Sequence, residues 1–120
     1  MTLEYLAGFL DGEGCITTYK TRKGHVTWEV VCVQTEKNNL APLVEMQERW
    51  GGSLCARGNT NPKHSRAWQW SVKGLEAAIA LSDIYLHLVN KRPKATEALE
   101  ALMGKPRIRR IVQRMGEPKP

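Results

Sequence analysis

The sequence predicts an α+β domain with the element order αββαββα, in which one four-stranded antiparallel sheet carries helices on one face. Stretches with helical spacing of apolar residues alternate with pairs of stretches rich in β-branched and aromatic residues. A short turn or polar loop joins the two stretches of each pair, as in an antiparallel hairpin. The chain has 120 residues, which is the size of one domain with a single core.

The first helix is predicted over residues 3–11. Its leucines recur at i, i+3 and i+7 and form one apolar stripe, which suits packing against a sheet. Thr2 can cap the N-terminus, and Gly12 and Gly14 lie where the helix should end.

Turn residues mark the later boundaries. The predicted elements are a hairpin over residues 15–22 and 25–34, a helix over 38–50, a hairpin over 53–58 and 66–72, and helical segments over 75–81, 84–89 and 93–103. Thr35 or Asn38 is expected to cap the second helix, and Gly51-Gly52 to end it. The chain thus divides into a domain over residues 1–103 and a basic C-terminal tail over residues 104–120.

Charge and composition narrow the partners. Lys and Arg number 18 against 12 Asp and Glu, which gives a net charge of +6 and favours a polyanionic partner. No apolar run approaches the roughly 18 residues that a membrane span requires, and no secretory signal is evident. We therefore expect a protein that is not secreted and has no membrane partner, located in the cytoplasm or, in a eukaryotic host, in an organellar matrix.

The three cysteines, Cys15, Cys32 and Cys55, are odd in number and lie apart from any CxxC or histidine pair. They sit among apolar neighbours in predicted strands. We interpret them as reduced core thiols, which form neither a zinc site nor a disulfide framework.

The first helix has a second, smooth face. Gly8 and Gly12 lie one turn apart on it. Glycine inside a helix costs about 1 kcal/mol relative to alanine, so two of them require a compensating gain. Close approach of another backbone would supply that gain.

One segment resembles a known family. The motif that names the LAGLIDADG homing endonucleases is similar to Leu6-Ala7-Gly8-Phe9-Leu10-Asp11-Gly12-Glu13-Gly14. Family landmarks also follow in order over most of residues 3–103: the Gln34-Thr35 step, Gly51-Gly52, Trp70 and Lys91-Arg92 before Ala95.

The resemblance implies a site-specific DNA endonuclease that acts as a homodimer, because each chain carries one motif and two motif helices pack together in this family. It implies an interface built from Ala7, Gly8, Asp11 and Gly12. It also places two Glu13 carboxylates side by side, each with the Gly12 carbonyl beside it. Hard oxygen ligands select Mg²⁺; Mn²⁺ is expected to substitute, and Ca²⁺ to support binding without cleavage. No small-molecule cofactor is expected.

Supporting roles are implied for two further residues. Gln34 matches a polar residue that orients water, although a strand-end hydrogen bond is the alternative. Lys91 matches a lysine near the scissile phosphate, where a compact cation can stabilise developing charge; its alternative is a solvated lysine at a helix end. Asp11 is the rival acid to Glu13, but a local structural role is the stronger interpretation. An arginine that some relatives carry near the second helix is replaced here by Lys37, Asn38 or Asn39.

DNA is expected on the sheet face that the helices leave free. Alternation does not decide which face this is, because both faces of residues 26–34 are apolar. The preferred assignment places against the helices Ile16, Trp28, Val30, Leu54, Trp68 and Trp70. The residues expected to contact DNA are Thr17, Tyr19, Arg22, Lys23, Thr27, Glu29, Arg57, Asn59, Lys63, Arg66, Gln69 and Ser71. The arginines of the basic tail are expected to contact phosphates.

Two other functions stay open at this point. One is a DNA- or RNA-binding relative that does not cut, such as an intron maturase or a transcription regulator. The other is a structural α+β protein in which the motif helix serves only as a dimer contact.

Overall fold

The computed structural model describes residues 1–57 and 66–115. Within these ranges the elements are α1 Leu3–Glu13, β1 Gly14–Lys20, β2 Val26–Thr35, α2 Ala41–Trp50, β3 Ser53–Ala56, β4 Ala67–Lys73, α3 Gly74–Ile84, α4 Arg92–Met103 and α5 Pro106–Met115. A single 3-10 turn, Tyr85–His87, links α3 to the loop before α4. The predicted α+β class, element order and four-stranded sheet are confirmed.

The four strands form one antiparallel sheet in the order β1-β2-β4-β3. Strand β2 belongs to the first hairpin and β4 to the second, so the two predicted hairpins join through these central strands. In the register, Gly14 lies opposite Cys32, and Cys32 lies opposite Trp70. A continuous row of side chains on the same face therefore crosses from the end of α1 to the middle of the sheet.

The helices cover one face of the sheet, called here the inner face. Side chains alternate across a strand, so a strand that is covered on one side buries every second residue. The burial along β2 follows this period from Trp28 to Cys32. The predicted inner residues are confirmed, with Ile16, Trp28, Val30 and Trp70 buried, and Leu54 and Trp68 half-buried against the same core.

The start of α2 differs from the prediction. The helix begins at Ala41, and neither Thr35 nor Asn38 caps it; instead the Asn39 side chain accepts a hydrogen bond of 2.9 Å from the Ala41 N–H. Pro42 lies in the first turn, where its missing N–H has no helical partner to lose. The predicted end is confirmed, since Gly51 and Gly52 have φ of 77° and 91°, a region that side chains disfavour.

Part of the expected basic tail is helical. Helix α5 packs on α3 and α4, and Ile108 is buried in that contact. The segment predicted as helical over residues 84–89 is instead the end of α3 followed by the 3-10 turn. In the ranges that the structure covers, no helix is long and apolar enough to cross a membrane.

Candidate catalytic centre and nucleic-acid interface

Helix α1 passes directly into β1, without a linker. Gly14 forms the joint, and a Cβ atom there would overlap the Leu10 side chain, lie 2.8 Å from the Leu10 carbonyl oxygen and lie 3.0 Å from Cys32 Sγ. Only glycine fits this close approach of helix to strand. Glu13, the last residue of the helix, is consequently held between two rigid elements with its side chain exposed.

Asp11 ties this end of α1 to the segment before α4. Its carboxylate accepts hydrogen bonds from the backbone N–H of Val89 at 2.7 Å and of Lys91 at 2.9 Å. The Lys91 ammonium in turn donates to the Asp11 carbonyl at 2.6 Å. The structural role favoured for Asp11 on sequence grounds is thus the one that its contacts describe, and Lys91 lies at the C-terminal end of α1.

Gln34 lies at the end of β2 that is closest to this joint. Cys32 and Gly14 form the last pair between β1 and β2. Gln34 lies two residues further along β2, on the same inner side of the sheet. Its Oε1 accepts from the Thr35 N–H at 3.2 Å and from Asn38 Nδ2 at 3.1 Å. The topology therefore brings Gln34 to the same end of the molecule as Glu13, while its amide oxygen is engaged in local hydrogen bonds.

The Cys32 thiol reports the charges around this joint. Burial raises its pKa to about 12; the Lys91 ammonium opposes that rise, whereas Glu13 and Cys15 add to it. Glu13 and Lys91, 78 positions apart in the sequence (91 − 13), thus both act on one buried atom.

The outward face of α1 is smooth. A Cβ atom at Gly8 or Gly12 would meet no neighbouring atom of residues 1–57 and 66–115 within 4 Å. Large apolar side chains are exposed near it, with Tyr5 52%, Leu86 79% and Val89 73% accessible; the 3-10 turn that contains Leu86 packs on α1. Gly8 and Gly12 are exposed, and the contact with a second copy expected of them stays a prediction.

Two residues expected in a dimer interface point elsewhere. Ala7 is fully buried in the core of its own chain, because it lies on the same side of α1 as Leu6 and Leu10. Asp11 is half-buried, and its carboxylate faces the loop at Val89. The expected dimer contact of Ala7 is therefore wrong, because the side chain is buried in its own chain. Asp11 can contribute to an interface only with the part of its side chain that stays exposed.

The face of the sheet opposite the helices is called here the outer face, and most of the residues expected to contact DNA lie on it or at its margin. Cross-strand rows on it pair Thr17 with Glu29 and Val33 with Gln69. Tyr19 and Ser71 belong to the same face by their register, while Arg22, Lys23, Arg57 and Arg66 are exposed beside it in the turns and strand ends. Asn59 and Lys63 lie outside the described residues.

Thr27 does not present its hydroxyl to the outer face. Its Oγ1 is buried and has no hydrogen-bond partner among the residues that the structure covers. Register with Tyr19 places Thr27 itself on the outer face, so its expected contact with DNA stays a prediction, but the buried hydroxyl is not available for that contact.

Sequence reasoning missed Lys73 on the outer face. Its ammonium lies 3.7 Å from the centre of the Tyr19 ring and 3.7 Å from a Glu29 carboxylate oxygen. Glu29 therefore has a cationic neighbour, and any contact between Glu29 and a DNA base must compete with it. The signal was available, because alternation from Gln69 and Ser71 places residue 73 on the same face.

The cysteines were only partly predicted. All three are free thiols, as expected, but only Cys32 is buried. Cys15 and Cys55 are exposed, and register places both on the outer face, opposite Val31 and Gln69. Apolar neighbours along a strand do not decide which face a residue occupies, so the interpretation of Cys15 and Cys55 as core thiols is wrong.

One chain alone does not complete a metal site. In residues 1–57 and 66–115 no three His, Cys, Asp or Glu side chains lie close enough to hold a metal ion. Glu13 forms no ion pair or hydrogen bond with a described residue, and the carbonyls of the last helical turn, including Gly12, lack helical donors. One free carboxylate and one carbonyl are suitable hard ligands for Mg²⁺, but they are fewer than the ion requires.

Comparison with known proteins reveals a likeness of fold. No protein-family model and no curated protein sequence matches the chain. The homing endonuclease I-CvuI, in complex with its target in the presence of Ca, matches with a TM-score of 0.67 and 22% identity, over 87% of this chain and 67% of that chain. The homing endonuclease I-TnaI matches with a TM-score of 0.56 and 18% identity, over 97% and 74%.

A larger protein contains a similar unit. The LAGLIDADG meganuclease I-CpaMI, bound to uncleaved DNA, matches with a TM-score of 0.59 and 18% identity, and the match covers 90% of this chain but 40% of that chain. The chain therefore has the fold of the LAGLIDADG homing endonucleases.

Proposed function

We propose that this protein is a member of the LAGLIDADG family and a site-specific DNA endonuclease, which binds a long, near-palindromic duplex as a homodimer and hydrolyses both strands with divalent metal ions. One observation carries the proposal. A free carboxylate, Glu13, ends a helix whose outward face is bare, and a lysine from a distant part of the chain, Lys91, lies at the same helix end. This combination has no evident purpose in an isolated chain.

The bare face of α1 supports a contact with a second copy. Gly8 and Gly12 allow two helix backbones to approach closely, and Leu86 and Val89 offer apolar area on the flank. An isologous contact through these residues obeys a twofold axis, so each residue meets a face that includes its own counterpart. The axis would bring two Glu13 carboxylates together at one end of the helix pair.

Such a pair of carboxylates requires cations. Two like charges at the negative C-terminal ends of two helices repel each other, and a divalent ion removes that cost. We expect Mg²⁺, with Mn²⁺ as a substitute and Ca²⁺ supporting binding without turnover. The I-CvuI complexes with DNA were determined in the presence of Ca and of Mg, in keeping with an oxygen-ligand site.

Glu13 and the Gly12 carbonyl are the residues that would hold the metal. When bound there, a divalent ion supplies a nucleophilic water and neutralises charge on the leaving oxygen. The residues of this chain do the positioning. Lys91, held at the Asp11 carbonyl, places a positive charge beside the phosphate, and the Gln34 amide, which Asn38 orients, can hold a water.

The outer face supplies the surface for a duplex. A two-stranded ribbon fits the major groove, and the exposed Arg57 and Tyr19 and the half-buried Gln69 offer both phosphate and base contacts. Strand β2 has 10 residues, which at about 3.3 Å each span about 33 Å. Two copies would then cover on the order of 20 base pairs at about 3.4 Å per step.

The test is a selection of cleavable sites from a randomised duplex library with Mg²⁺ present, using wild-type protein and Glu13→Gln in parallel. We expect wild-type protein to enrich duplexes of about 20 base pairs with related half-sites, and Glu13→Gln to enrich none. Half-sites with no relation to each other would contradict the homodimer. Tight binding without any cleavage would instead favour the DNA- or RNA-binding relative that does not cut.

A further inference from the structure

Part of the basic tail, which is expected to contact DNA phosphates, forms helix α5, and the arginines there lie outside the duplex interface that the proposed function uses. Arg107, Arg110 and Arg114 recur at i, i+3 and i+7, so they line one side of the helix. Together with Ile111 they surround a groove of about 200 Å³. All three arginines are exposed, and none forms an ion pair with any residue in the described ranges. These three arginines are called the α5 ridge.

The sequence of α5 is unfavourable for a helix without a counter-charge. The positive end of the helix dipole favours acids, yet the first turn contains none, and Arg107, Arg109 and Arg110 all lie in the first half. Arg110 and Arg114 also repel each other at i, i+4. An anion bound along the ridge would remove both penalties.

The α5 ridge faces away from the sheet. Helices α3 and α4 pack on the sheet strands, and α5 packs on α3 and α4. Ile108 is buried and Val112 half-buried in this contact, so the apolar side of α5 turns toward α3 and α4 and its arginines turn outward. A duplex on the outer face would therefore be separated from the ridge by the sheet and a layer of helices.

We propose that the α5 ridge binds the phosphodiester backbone of a second nucleic acid segment, separate from the duplex on the outer face. That this segment is a second one rests on the proposed function, whereas the binding of nucleic acid to the α5 ridge does not. Arginine side chains present a planar fork that matches phosphate oxygens, and the three span about 10 Å along the helix axis, enough for consecutive phosphates. A membrane surface fits poorly, because the apolar side that would enter it is already packed on α3 and α4.

Binding of a labelled single-stranded oligonucleotide of about 16 nucleotides, as DNA and as RNA of the same sequence, tests the proposal. The full-length triple variant Arg107→Gln/Arg110→Gln/Arg114→Gln keeps good helix formers and removes three charges. We expect its affinity to fall at least about tenfold, and the slope of log affinity against log salt to decrease by about 2, since each lost phosphate contact accounts for about 0.7. Circular dichroism verifies that the helix remains.

The control removes two charges on other helices, as Arg49→Gln/Lys94→Gln, at exposed positions of α2 and α4. We expect this variant to bind the oligonucleotide within about threefold of wild type. In a second experiment the protein is saturated with a duplex from the cleavage selection, in Ca²⁺, before the labelled strand is added. A ternary complex is expected, and the DNA and RNA arms show which backbone the ridge prefers.

Several results would overturn the proposal. The first is an unchanged affinity of the α5 variant for the oligonucleotide. The second is that the duplex displaces the labelled strand one for one. The third is that polyglutamate of the same charge displaces the strand as effectively as an unlabelled oligonucleotide does. If no cleavable duplex exists, the first experiment still decides, because it uses no duplex. Failure of the proposed endonuclease and failure of the α5 ridge are thereby distinguishable.

Discussion

Asp11 and Lys91 are joined by hydrogen bonds that run in both directions between them. The Asp11 carboxylate accepts from the Lys91 backbone N–H at 2.9 Å, and the Lys91 ammonium donates to the Asp11 carbonyl at 2.6 Å. The two residues are 80 positions apart in the sequence. This reciprocal contact fixes the start of α4 against the end of α1, so it sets where the lysine lies relative to Glu13.

Replacing Asp11 should therefore affect stability and cleavage separately. Asp11→Ala leaves two backbone N–H groups without their acceptor, and we expect a loss of about 1–3 kcal/mol in the free energy of unfolding. Cleavage should fall further than the loss of stability explains, because the backbone N–H of Lys91 loses the carboxylate that holds it. Asp83→Ala is the matched control, since Asp83 accepts from Trp50 Nε1 at 2.8 Å on another side of the molecule. Equal cleavage by both folded variants would remove the positioning role of Asp11.

Gly8→Leu tests the α1 contact. Because a Cβ atom at Gly8 meets no neighbouring atom of the described residues within 4 Å, the single chain should tolerate leucine and gain about 0.8 kcal/mol of helix propensity. Two copies should not tolerate it, so we expect a folded monomer without cleavage activity, as measured by sedimentation and a nicking assay. Ala101→Leu, at an exposed position of α4, is the control. A dimeric and fully active Gly8→Leu protein would show that α1 is not the interface.

Glu13→Gln separates an enzyme from a binding protein. The amide keeps the side-chain size but removes the charge that would hold the metal, so hydrolysis should fall by at least about 10³-fold. Affinity for the same duplex should persist, and in the absence of metal it should rise as repulsion of the phosphates is lost. Gel-shift and cleavage assays measure both, with Glu100→Gln as a control at an exposed site on α4. A mutant that cuts as well as wild type would make Asp11 the candidate ligand.

The thiols provide a footprint of the outer face. Burial raises the pKa of Cys32 to about 12, so its reactive thiolate should be scarce near pH 8, whereas the exposed Cys15 and Cys55 should alkylate readily. A bound duplex should slow alkylation of the two exposed thiols if it lies on the outer face. Mass spectrometry counts the modified thiols with and without duplex. Unprotected Cys15 and Cys55 in a saturated complex would place the DNA elsewhere.

The sign of the pH effect on stability follows from the same thiol. Burial raises the pKa of Cys32 in the folded state to about 12, compared with the ordinary thiol value of 9.0. Between these values the unfolded chain binds fewer protons, so folding stability should decrease as pH rises through this window. Cys32→Ala should show a shallower decrease over the same range in urea titrations. An identical slope in both proteins would show that another group is responsible.

Sequence patterns predicted the fold well where a single period dominates. The preferred assignment of faces put Trp28 and Val30 against the helices, although both faces of β2 are apolar, and the motif located the Gly14 joint and Glu13 beside it. The faces of Cys15 and Cys55 were misjudged because small thiols suit both sides of a strand. Helix α5 was missed as an element, since its many arginines conceal the apolar stripe that begins at Ile108.

The contacts that organise the site were harder to predict. Nothing in the local sequence indicates that Asp11 reaches the loop at Val89, because that contact depends on the packing of elements far apart in the chain. Lys73, by contrast, could have been placed on the outer face from strand alternation alone. Long-range hydrogen bonds require the tertiary structure, whereas the face of a strand residue requires only the period.

The joint at Gly14 also has a mechanical consequence. Helix α1 ends at Glu13 and β1 begins at the next residue, so the chain has no slack at which a displacement could be absorbed. A tilt of β1, as its outer face adapts to a curved surface, must move the carboxylate with it. Helix α1 and strand β1 therefore move together about Glu13. A surface that fits the outer face of β1 poorly would displace the carboxylate oxygens of this residue.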